Sequence, residues 1–163
     1  MDLALEQIKR IEANANQFLE RKGGESPWML REELGKVMWE RAGIVRDATK
    51  LNRALTEVAA LGRRAKEASI GGGRQFNLTW QQCLDLRNLL LGSELIARSA
   101  LLRQESRGAH YREDFPNADD TNWLRNIYMK QDSTGPKTWS EPVKFSKLQP
   151  KSDLERGLQA AET

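Results

Sequence analysis

Residues 79–106 read TWQQCLDLRNLLLGSELIARSALLRQES and form the longest uninterrupted helical pattern in the chain. The apolar residues recur at helical spacing, with a heptad-like seam that neighbouring residues widen. The seam consists of Leu84, Leu91, Leu95 and Leu102, widened by Leu86, Leu89, Ala97 and Leu101. Thr79 and Gln82 match a capping box, and Gly108 is the expected stop. At 1.5 Å per residue, the predicted helix is about 40 Å long.

An additional amphipathic helix is predicted at the N-terminus, from Leu3 to about Glu20. Its apolar positions share one helical face: Leu5, Ile8, Ala15 and Leu19. The consecutive Gly23 and Gly24 favour a left-handed stop over continuation of the helix. We therefore assign residues 1–24 to an N-terminal helix with a glycine linker.

Two more helices are predicted before the long one. Ser26 and Pro27 are suited to the start of the first, Gly43 closes it, and Asp47 is the expected cap of the second. Their apolar stripes are Leu30, Leu34, Val37 and Met38, then Leu51, Leu55, Val58 and Leu61. Short links favour antiparallel neighbours. The predicted fold class is therefore all-α: an antiparallel, spectrin-repeat-like three-helix bundle over residues 25–108, with an extra N-terminal helix.

The pattern changes after Gly108. Residues 109–122 carry many charges and no helical stripe, and they are expected to form an irregular loop. Residues 123–129 and 138–145 flank a turn-rich stretch and are predicted to form a small β-hairpin, in which Pro142 confines its strand to an edge. This gives a charged docking loop and hairpin over 109–146, followed by a polar tail over 147–163.

Composition excludes several classes of function. A net charge of +3 over 163 residues, with acids and bases alternating, does not argue for nucleic-acid binding. No apolar run reaches the roughly 20 residues of a membrane span, so direct membrane insertion is not expected. Cys83 and His110 are the only cysteine and histidine, too few for a structural zinc shell, and a reducing compartment is expected. The Gly71-Gly72-Gly73 run lacks the context of a phosphate loop.

The segment from Glu105 to Leu124 carries the candidate functional residues. It reads ESRGAHYREDFP over 105–116 and DDTNWL over 119–124, and so concentrates arginines, carboxylates and aromatic residues on a loop that leaves a rigid helix. Arginine forms bidentate bonds to carboxylates, which suits a docking surface. The candidate contact residues are Arg107, His110, Arg112, Asp114, Phe115, Asp119, Asp120 and Trp123. The alternative is a solvated charge cluster that contributes little.

This segment strongly resembles the C-terminal domain of the succinate dehydrogenase and fumarate reductase flavoprotein subunits. The family pattern, Glu-Ser-Arg-Gly-Ala-His followed by Arg, Asp-Phe-Pro and then Asp-Asp-x-Asn-Trp-Leu, is present intact from Glu105 to Leu124. Residues 34–39, 43–47, 76–77 and 84–91 are similar to other parts of that domain, in the right order. L-Aspartate oxidase and adenylylsulfate reductase belong to the same superfamily. Aspartate oxidase ranks lower because it usually lacks the Asp-Phe-Pro and Asp-Asp-x-Asn-Trp segments.

The resemblance implies a parent oxidoreductase that exchanges hydride between a dicarboxylate and FAD and passes electrons to an iron–sulfur subunit. This chain has no G-x-G-x-x-G fingerprint, so no catalytic residue, bound cofactor or metal is assigned to it, and the isolated chain is expected to be inactive. Its implied partners are the flavin-binding domain and the iron–sulfur subunit. The implied location is cytoplasmic, with membrane association through partner subunits. The direction of the parent reaction stays open.

Two other hypotheses stay open beside the docking domain. A free-standing adaptor is suggested by Met1 and the complete N-terminal helix. An autonomous enzyme would need His110 to act with Asp114, although a structural histidine is the favoured interpretation. We also expect exposed apolar surface, with Trp28, Trp39 and Trp80 as candidates, and hence a tendency to self-associate.

Overall fold

The computed structural model describes residues 2–21, 23–133 and 135–147. In chain order the elements are α1 (Asp2–Glu20), α2 (Pro27–Ala42), β1 (Val45–Arg46), α3 (Ala48–Lys66), α4 (Leu78–Leu102), β2 (Tyr111–Arg112), α5 (Asp120–Trp123), β3 (Arg125–Asp132) and β4 (Gly135–Pro142). The predicted helical bundle with an additional N-terminal helix and a terminal hairpin is confirmed. The predicted tail lies outside the described residues from 148 onward, and the division into domains stays a prediction.

The bundle of α2, α3 and α4 has two chemically different ends. At one end, large side chains from the start of α2 and α4 meet the second half of α3: Leu30, Leu34, Val58, Leu61, Cys83, Leu86 and Leu90. At the other end the buried residues are mostly small: Ala42, Leu51, Ala54, Ala97 and Ala100. This arrangement runs α3 antiparallel to α2 and α4. The small side chains let the three helices approach closely at the end where α4 stops.

The core face of α4 differs from the predicted leucine seam. The buried positions are Gln82, Cys83, Leu86, Leu90, Ser93, Ala97 and Ala100, whereas Leu91 and Leu102 are exposed. From Cys83 onward these positions follow a strict three–four spacing, so the heptad pattern exists but is displaced by one or two residues from the predicted seam. Leu86 and Ala97, which were predicted to widen the seam, are buried. The prediction followed side-chain size, whereas the core at the end of α4 consists mostly of small residues.

The predicted caps are confirmed in part. Asp47 caps α3 by accepting a 2.7 Å hydrogen bond from the Lys50 amide. Ser26 stands at the start of α2 but makes no side-chain capping bond. The predicted capping box at Thr79 is wrong. Asn77 caps α4 instead, because its side chain accepts from the Trp80 amide at 2.9 Å and also donates to the carbonyls of Gly71 and Gly73.

Only the second half of α1 packs on the bundle. Phe18 is buried in the leucine-rich end, and the Trp80 indole donates to the Ala15 carbonyl at 2.6 Å. The predicted inward residues Leu5 and Ile8 are exposed, because that half of α1 has no neighbouring helix among the described residues. Trp28 and Trp39 are also exposed. The prediction of exposed apolar surface is therefore confirmed, and self-association stays a prediction.

Two small strand pairs complete the fold. Strands β3 and β4 form the predicted antiparallel hairpin, with Asp132 opposite Gly135 and the terminal Pro142 opposite Arg125. The sequence did not indicate that Val45 and Arg46 pair in parallel with Tyr111 and Arg112. This two-residue ladder joins the α2–α3 link to the loop that follows α4. Across the described ranges, no helix is long and apolar enough to cross a membrane.

Candidate functional site: the arginine elbow

Residues 103–124, here called the elbow, begin with a tight turn. The amide of Arg107 donates to the His110 carbonyl at 2.8 Å, and the amide of His110 donates back to the Arg107 carbonyl at 3.0 Å. The two residues between them are Gly108 and Ala109. Gly108 has φ +57°, a conformation that favours glycine at the first position of a two-residue hairpin loop. The Arg-Gly-Ala-His motif is therefore the sequence of one reverse turn.

Arg112 closes the end of α4. Its side chain is 1% exposed, and Nη1 donates to three carbonyls in the last turn of the helix, those of Ala100 (2.8 Å), Leu101 (3.1 Å) and Arg103 (2.9 Å). A helix leaves its final carbonyls without partners inside the helix, and a cation suits the negative end of the helix dipole. One buried arginine thus supplies the cap and ends α4 at Leu102, four residues before the predicted end.

Asp114 connects this cap to the neighbouring helix. Its carboxylate accepts two bonds from the Arg112 guanidinium, each 2.7 Å long, and Oδ2 also accepts from the amide of Ala48 at the start of α3. The hydrogen bonds from Arg112 lower the pKa of Asp114 to about 2. The carboxylate therefore stays ionised at neutral pH, and it fixes the end of α4 to the beginning of α3.

A second ionic cluster lies around Glu105, whose side chain is completely buried. One carboxylate oxygen accepts from Arg103 and from Arg107 Nε (2.9 Å), and the other accepts from Arg107 Nη2 (2.8 Å) and the Asp119 amide (2.9 Å). Burial alone would raise the pKa of Glu105, but the hydrogen bonds from Arg107, Asp119 and Arg103 outweigh it and lower that pKa. Each oxygen of the buried carboxylate therefore has two donors.

Arg103 and Arg107 extend this cluster to the far side of the elbow. Arg107 also pairs with Asp120 at 2.6 Å. Arg103 donates to the carbonyls of Trp123 (3.1 Å) and Arg125 (2.6 Å), with its guanidinium 5.4 Å from the Trp123 ring centre. The start of the hairpin is thereby attached to the end of α4.

His110 has a different environment from the other predicted residues. Its Nδ1 lies 2.8 Å from Arg46 Nη1, and its buried Nε2 has no hydrogen-bond partner of good geometry within the described part of the chain. Burial lowers the pKa of His110, and the positive charge of Arg46 lowers it further, while the Arg103 backbone acts in the opposite direction. The imidazole is therefore neutral at pH 7. A pairing of His110 with Asp114 is not found in the described ranges, because Asp114 faces Arg112.

The structure brings the eight predicted residues into one elbow, where seven belong to or adjoin two ionic clusters and His110 lies outside both. Arg112 and Asp114 bind each other, and Phe115 lies beneath the Arg112 guanidinium at 5.0 Å. Asp119 caps α5 through the Asn122 amide at 2.9 Å. Three residues that the elbow depends on were not among the candidates: Arg46, Arg103 and Glu105. Arg46 and Glu105 lie within the family motifs, so their positions in those motifs could have identified them as candidates.

An FAD site does not fit these residues. A dinucleotide is held at the carboxyl edge of a parallel sheet followed by a helix. The parallel pairing present in residues 2–21, 23–133 and 135–147 is the two-residue β1–β2 ladder, and Asp47 rather than a glycine-rich turn leads from it into α3. We therefore assign no step of flavin chemistry to this chain. What the elbow can do chemically is hold a fixed surface of arginine, histidine and aromatic groups.

Comparison with known proteins agrees with the motif. The family described as "Fumarate reductase flavoprotein C-term" matches residues 31–154. The chain belongs to this family. Among its relatives, the fumarate reductase flavoprotein subunit of Haemophilus influenzae is 34% identical over 146 residues, which is 88% of this chain and 24% of that protein. The succinate dehydrogenase flavoprotein subunit of Coxiella burnetii is 36% identical over 132 residues, 80% of this chain and 21% of that protein.

A solved structure of a fumarate reductase shares the fold. A quinol–fumarate reductase with menaquinol molecules matches with a TM-score of 0.80 at 30% identity, over 89% of this chain and 26% of that one. Adenylylsulfate reductase from Archaeoglobus fulgidus matches with a TM-score of 0.74 at 21% identity, over 89% and 25%. The second likeness is one of fold alone. The chain thus corresponds to the C-terminal domain of the flavoprotein subunit, and it spans about a quarter of the length of these relatives.

Proposed function

We propose that this chain is the docking domain of an FAD-dependent succinate dehydrogenase or fumarate reductase flavoprotein. In this proposal it supports the flavin-binding domain and the interface with the iron–sulfur subunit, and it has no complete active site of its own. Its location is then cytoplasmic, and it reaches a membrane through partner subunits. The observation that carries the proposal is an exposed apolar surface on a rigid support beside the elbow.

That surface lies at the end of the bundle where the small residues pack. Val45 and Tyr111 are paired in the β1–β2 ladder and both are exposed, with Ile44 next to them and Trp39 on the last turn of α2. Ile44 is 66% exposed, which is costly for a residue that gains from leaving water. Several large apolar side chains exposed on neighbouring elements are typical of an interface.

The elbow beside this surface is stiff enough to keep its shape before a partner arrives. The side chains of Arg112 and Glu105 are buried with their hydrogen-bonding groups engaged. Arg112 binds the end of α4, and their partners Asp114 and Arg103 tie the elbow to α3 and to the hairpin. Preorganised surfaces lose less conformational entropy on binding. We therefore assign Arg112 and Asp114 to shaping the contact. The predicted contacts to the partner then rest chiefly on Arg107, His110, Phe115, Asp119, Asp120 and Trp123.

The outer face of the hairpin is our candidate for the iron–sulfur subunit. Tyr128 stacks on Trp139 with ring centres 5.6 Å apart, and Lys130 stands opposite Lys137 in the next pair on that face. Like charges directly opposite each other destabilise a strand pair. An acidic partner surface would remove this repulsion and cover the two rings.

The proposal is tested by titrating the chain with the flavin-binding part of its flavoprotein, using calorimetry. We expect saturable binding, weakened at least tenfold by Ile44→Asp. Leu78→Asp is the matched control, because Leu78 is 69% exposed at the opposite end of the bundle. No association at high micromolar concentration would contradict the proposal, as would equal effects of the two variants.

A second measurement addresses the absence of a complete active site. The purified chain is expected to show no succinate–dye reductase activity, with or without added FAD. Activity that disappears in His110→Ala would instead support an autonomous enzyme.

A further inference from the structure

A cavity of about 490 Å³ lies between the end of α4, the elbow and the hairpin. Its polar wall is formed by Arg46, Arg103 and His110, and its apolar wall includes Ile96, Ile127 and Met129. The Ser99 hydroxyl contacts Met129 Sδ at 3.9 Å, so the hairpin is packed on α4 at this point. The cavity is therefore bounded by three parts of the fold that the elbow clusters hold together.

The polar wall presents a hydrogen-bond donor without a good acceptor. An arginine guanidinium has donors only, so the 2.8 Å contact between Arg46 Nη1 and His110 Nδ1 requires Nδ1 to accept. The proton of the neutral imidazole is then on Nε2. That atom is buried and makes no hydrogen bond of good geometry in the described ranges, although the Arg103 backbone lies close enough to the ring to raise the pKa of His110 through a hydrogen bond. A buried donor in this state destabilises the chain unless something supplies a well-placed acceptor.

The same wall carries a positive charge that no carboxylate of the described residues offsets. Arg103, Arg107 and Arg112 each have an ion pair within the elbow. Arg46 Nε donates instead to the carbonyls of Ala42 (3.2 Å) and Gly43, and no carboxylate in the described part of the chain pairs with Arg46. The His110 Nε2–H donor and the Arg46 cation lie on the same side of the cavity. The group that would satisfy both is an anionic hydrogen-bond acceptor.

We propose that this cavity receives one carboxylate, an Asp or Glu side chain presented by the flavin-binding part of the flavoprotein. The inference rests on the proposed function and adds to it the chemistry of one contact. In this contact a carboxylate oxygen accepts from His110 Nε2–H and lies near the Arg46 guanidinium. The residues that flank the partner's acid cover Ile96, Ile127 and Met129.

The apolar wall favours a protein side chain over a free dicarboxylate. Two arginines line the cavity. Arg103 is already paired with Glu105, whereas Arg46 has no carboxylate partner among the described residues. One added carboxylate would therefore balance the charge of the cavity wall. The second carboxylate of a small diacid would meet isoleucine and methionine side chains in place of a second unpaired cation. A side chain from a folded surface brings one charge and its own apolar neighbours.

A first test needs only this chain. Ile96→Glu places a carboxylate on the rim of the cavity, where the wild-type side chain is 52% exposed, and Leu89→Glu is the control two turns earlier on α4, at 42% exposure. His110 is the only histidine, so its imidazole signals in NMR spectra need no assignment. We expect Ile96→Glu to raise the His110 pKa by about one unit, because an opposite charge favours the protonated form. An unchanged pKa would overturn the inference.

A second test uses the complex with the flavin-binding part. We expect its addition to shift the His110 Nε2–H signal, and we expect Ile96→Glu, which occupies the cavity with its own acid, to weaken binding at least tenfold while Leu89→Glu does not. Binding that leaves the His110 signal unmoved and tolerates Ile96→Glu would overturn this inference and leave the proposed function standing. No binding at all would overturn both. Saturation of the His110 shift by succinate or acetate, with no shift from the protein partner, would make the cavity a small-molecule site and also overturn it.

Discussion

The guanidinium of Arg112 and the carboxylate of Asp114 face each other through two hydrogen bonds of 2.7 Å, although one residue separates them in the chain. Neither residue lies in a helix, but the pair makes hydrogen bonds to two of them. The remaining Arg112 nitrogen caps α4, and the Asp114 carboxylate accepts from the first amide of α3. The two side chains therefore link α3 to α4 at the alanine-rich end of the bundle.

Replacing Arg112 should destabilise the fold strongly. Arg112→Met leaves three helix carbonyls without their donor, and we expect the free energy of unfolding to fall by about 3–5 kcal/mol in urea denaturation. Arg98→Met is the control, because Arg98 forms an exposed pair with Glu94 on the same helix and should cost at most about 0.5 kcal/mol. Equal effects would show that the cap does not support the bundle.

The free energy of unfolding should depend on pH in the acid range because of Asp114. Its pKa is lowered from 3.8 to about 2 in the folded chain. Above pH 4 the contribution is complete, and it is lost as the pH falls towards 2, because the unfolded chain then binds a proton that the folded chain does not. Asp114→Asn should therefore flatten the loss of stability between pH 4 and pH 2. In an Arg112→Met background the same substitution should change this slope little, and a slope unaffected in both backgrounds would contradict the assignment.

His110 should add a second pH dependence nearer neutrality. Burial and the charge of Arg46 lower the pKa of His110 in the folded chain. As the pH falls, the histidine is therefore protonated in the unfolded chain before it is protonated in the folded chain. The stabilising contribution is complete above the ordinary pKa of about 6.5 and declines as the pH falls below it. Unfolding free energies at pH 7.5 and pH 5 should differ less in His110→Gln than in the wild type. A larger difference in the variant would count against a neutral buried imidazole.

Two glycines, one within α2 and one at its end, should respond oppositely to alanine. A Cβ at Gly43 would stand 2.5 Å from the Trp39 carbonyl oxygen, so Gly43→Ala should lower the free energy of unfolding by about 1–3 kcal/mol. A Cβ at Gly35 meets nothing within 4 Å, and Gly35→Ala should raise it by about 1 kcal/mol. Thermal unfolding of both variants checks this, and a stabilised Gly43→Ala would show that the link after α2 is free to move.

Phe76 should be replaceable with a gain in stability. It is fully exposed and has φ +53°, a left-handed conformation that asparagine adopts at lower cost than an aromatic residue. Phe76→Asn should raise the free energy of unfolding by about 1 kcal/mol. Gln75 has a negative φ, so the control Gln75→Asn should not raise the free energy of unfolding. If both variants lose stability, the strain at Phe76 is not released by this change.

Helix number and order were predictable because turn residues separate the apolar stripes clearly. The buried face of α4 was predictable only in part, because it includes the small residues Ser93 and Ala100, while large residues such as Leu91 lie on the surface. Periodicity weights size, whereas a close approach of helices selects small side chains. Likewise Asn77 and Thr79 are both acceptable caps, and only the glycine loop that Asn77 also binds distinguishes them.

The elbow was predictable from its motif, but its internal geometry was not. Local spacing does not show that Arg112 turns back to carbonyls at positions 100–103, nor that Arg46 reaches His110 across 64 residues of sequence. These contacts depend on the β1–β2 ladder, whose two residues on each side are too few to give a strand pattern. The motif directs attention to residues with obvious charge, whereas the buried Glu105 at their centre becomes important only through its neighbours.

The cap of α4 comes from a residue ten positions beyond the end of that helix, and this sets a minimum length for any useful fragment. A polypeptide stopped at Gly108 would contain every helix of the bundle, yet it would lack Arg112, Asp114 and one strand of the ladder. Its alanine-rich end would be open to water. A shortened version for crystallisation or for screening should therefore extend at least through Phe115.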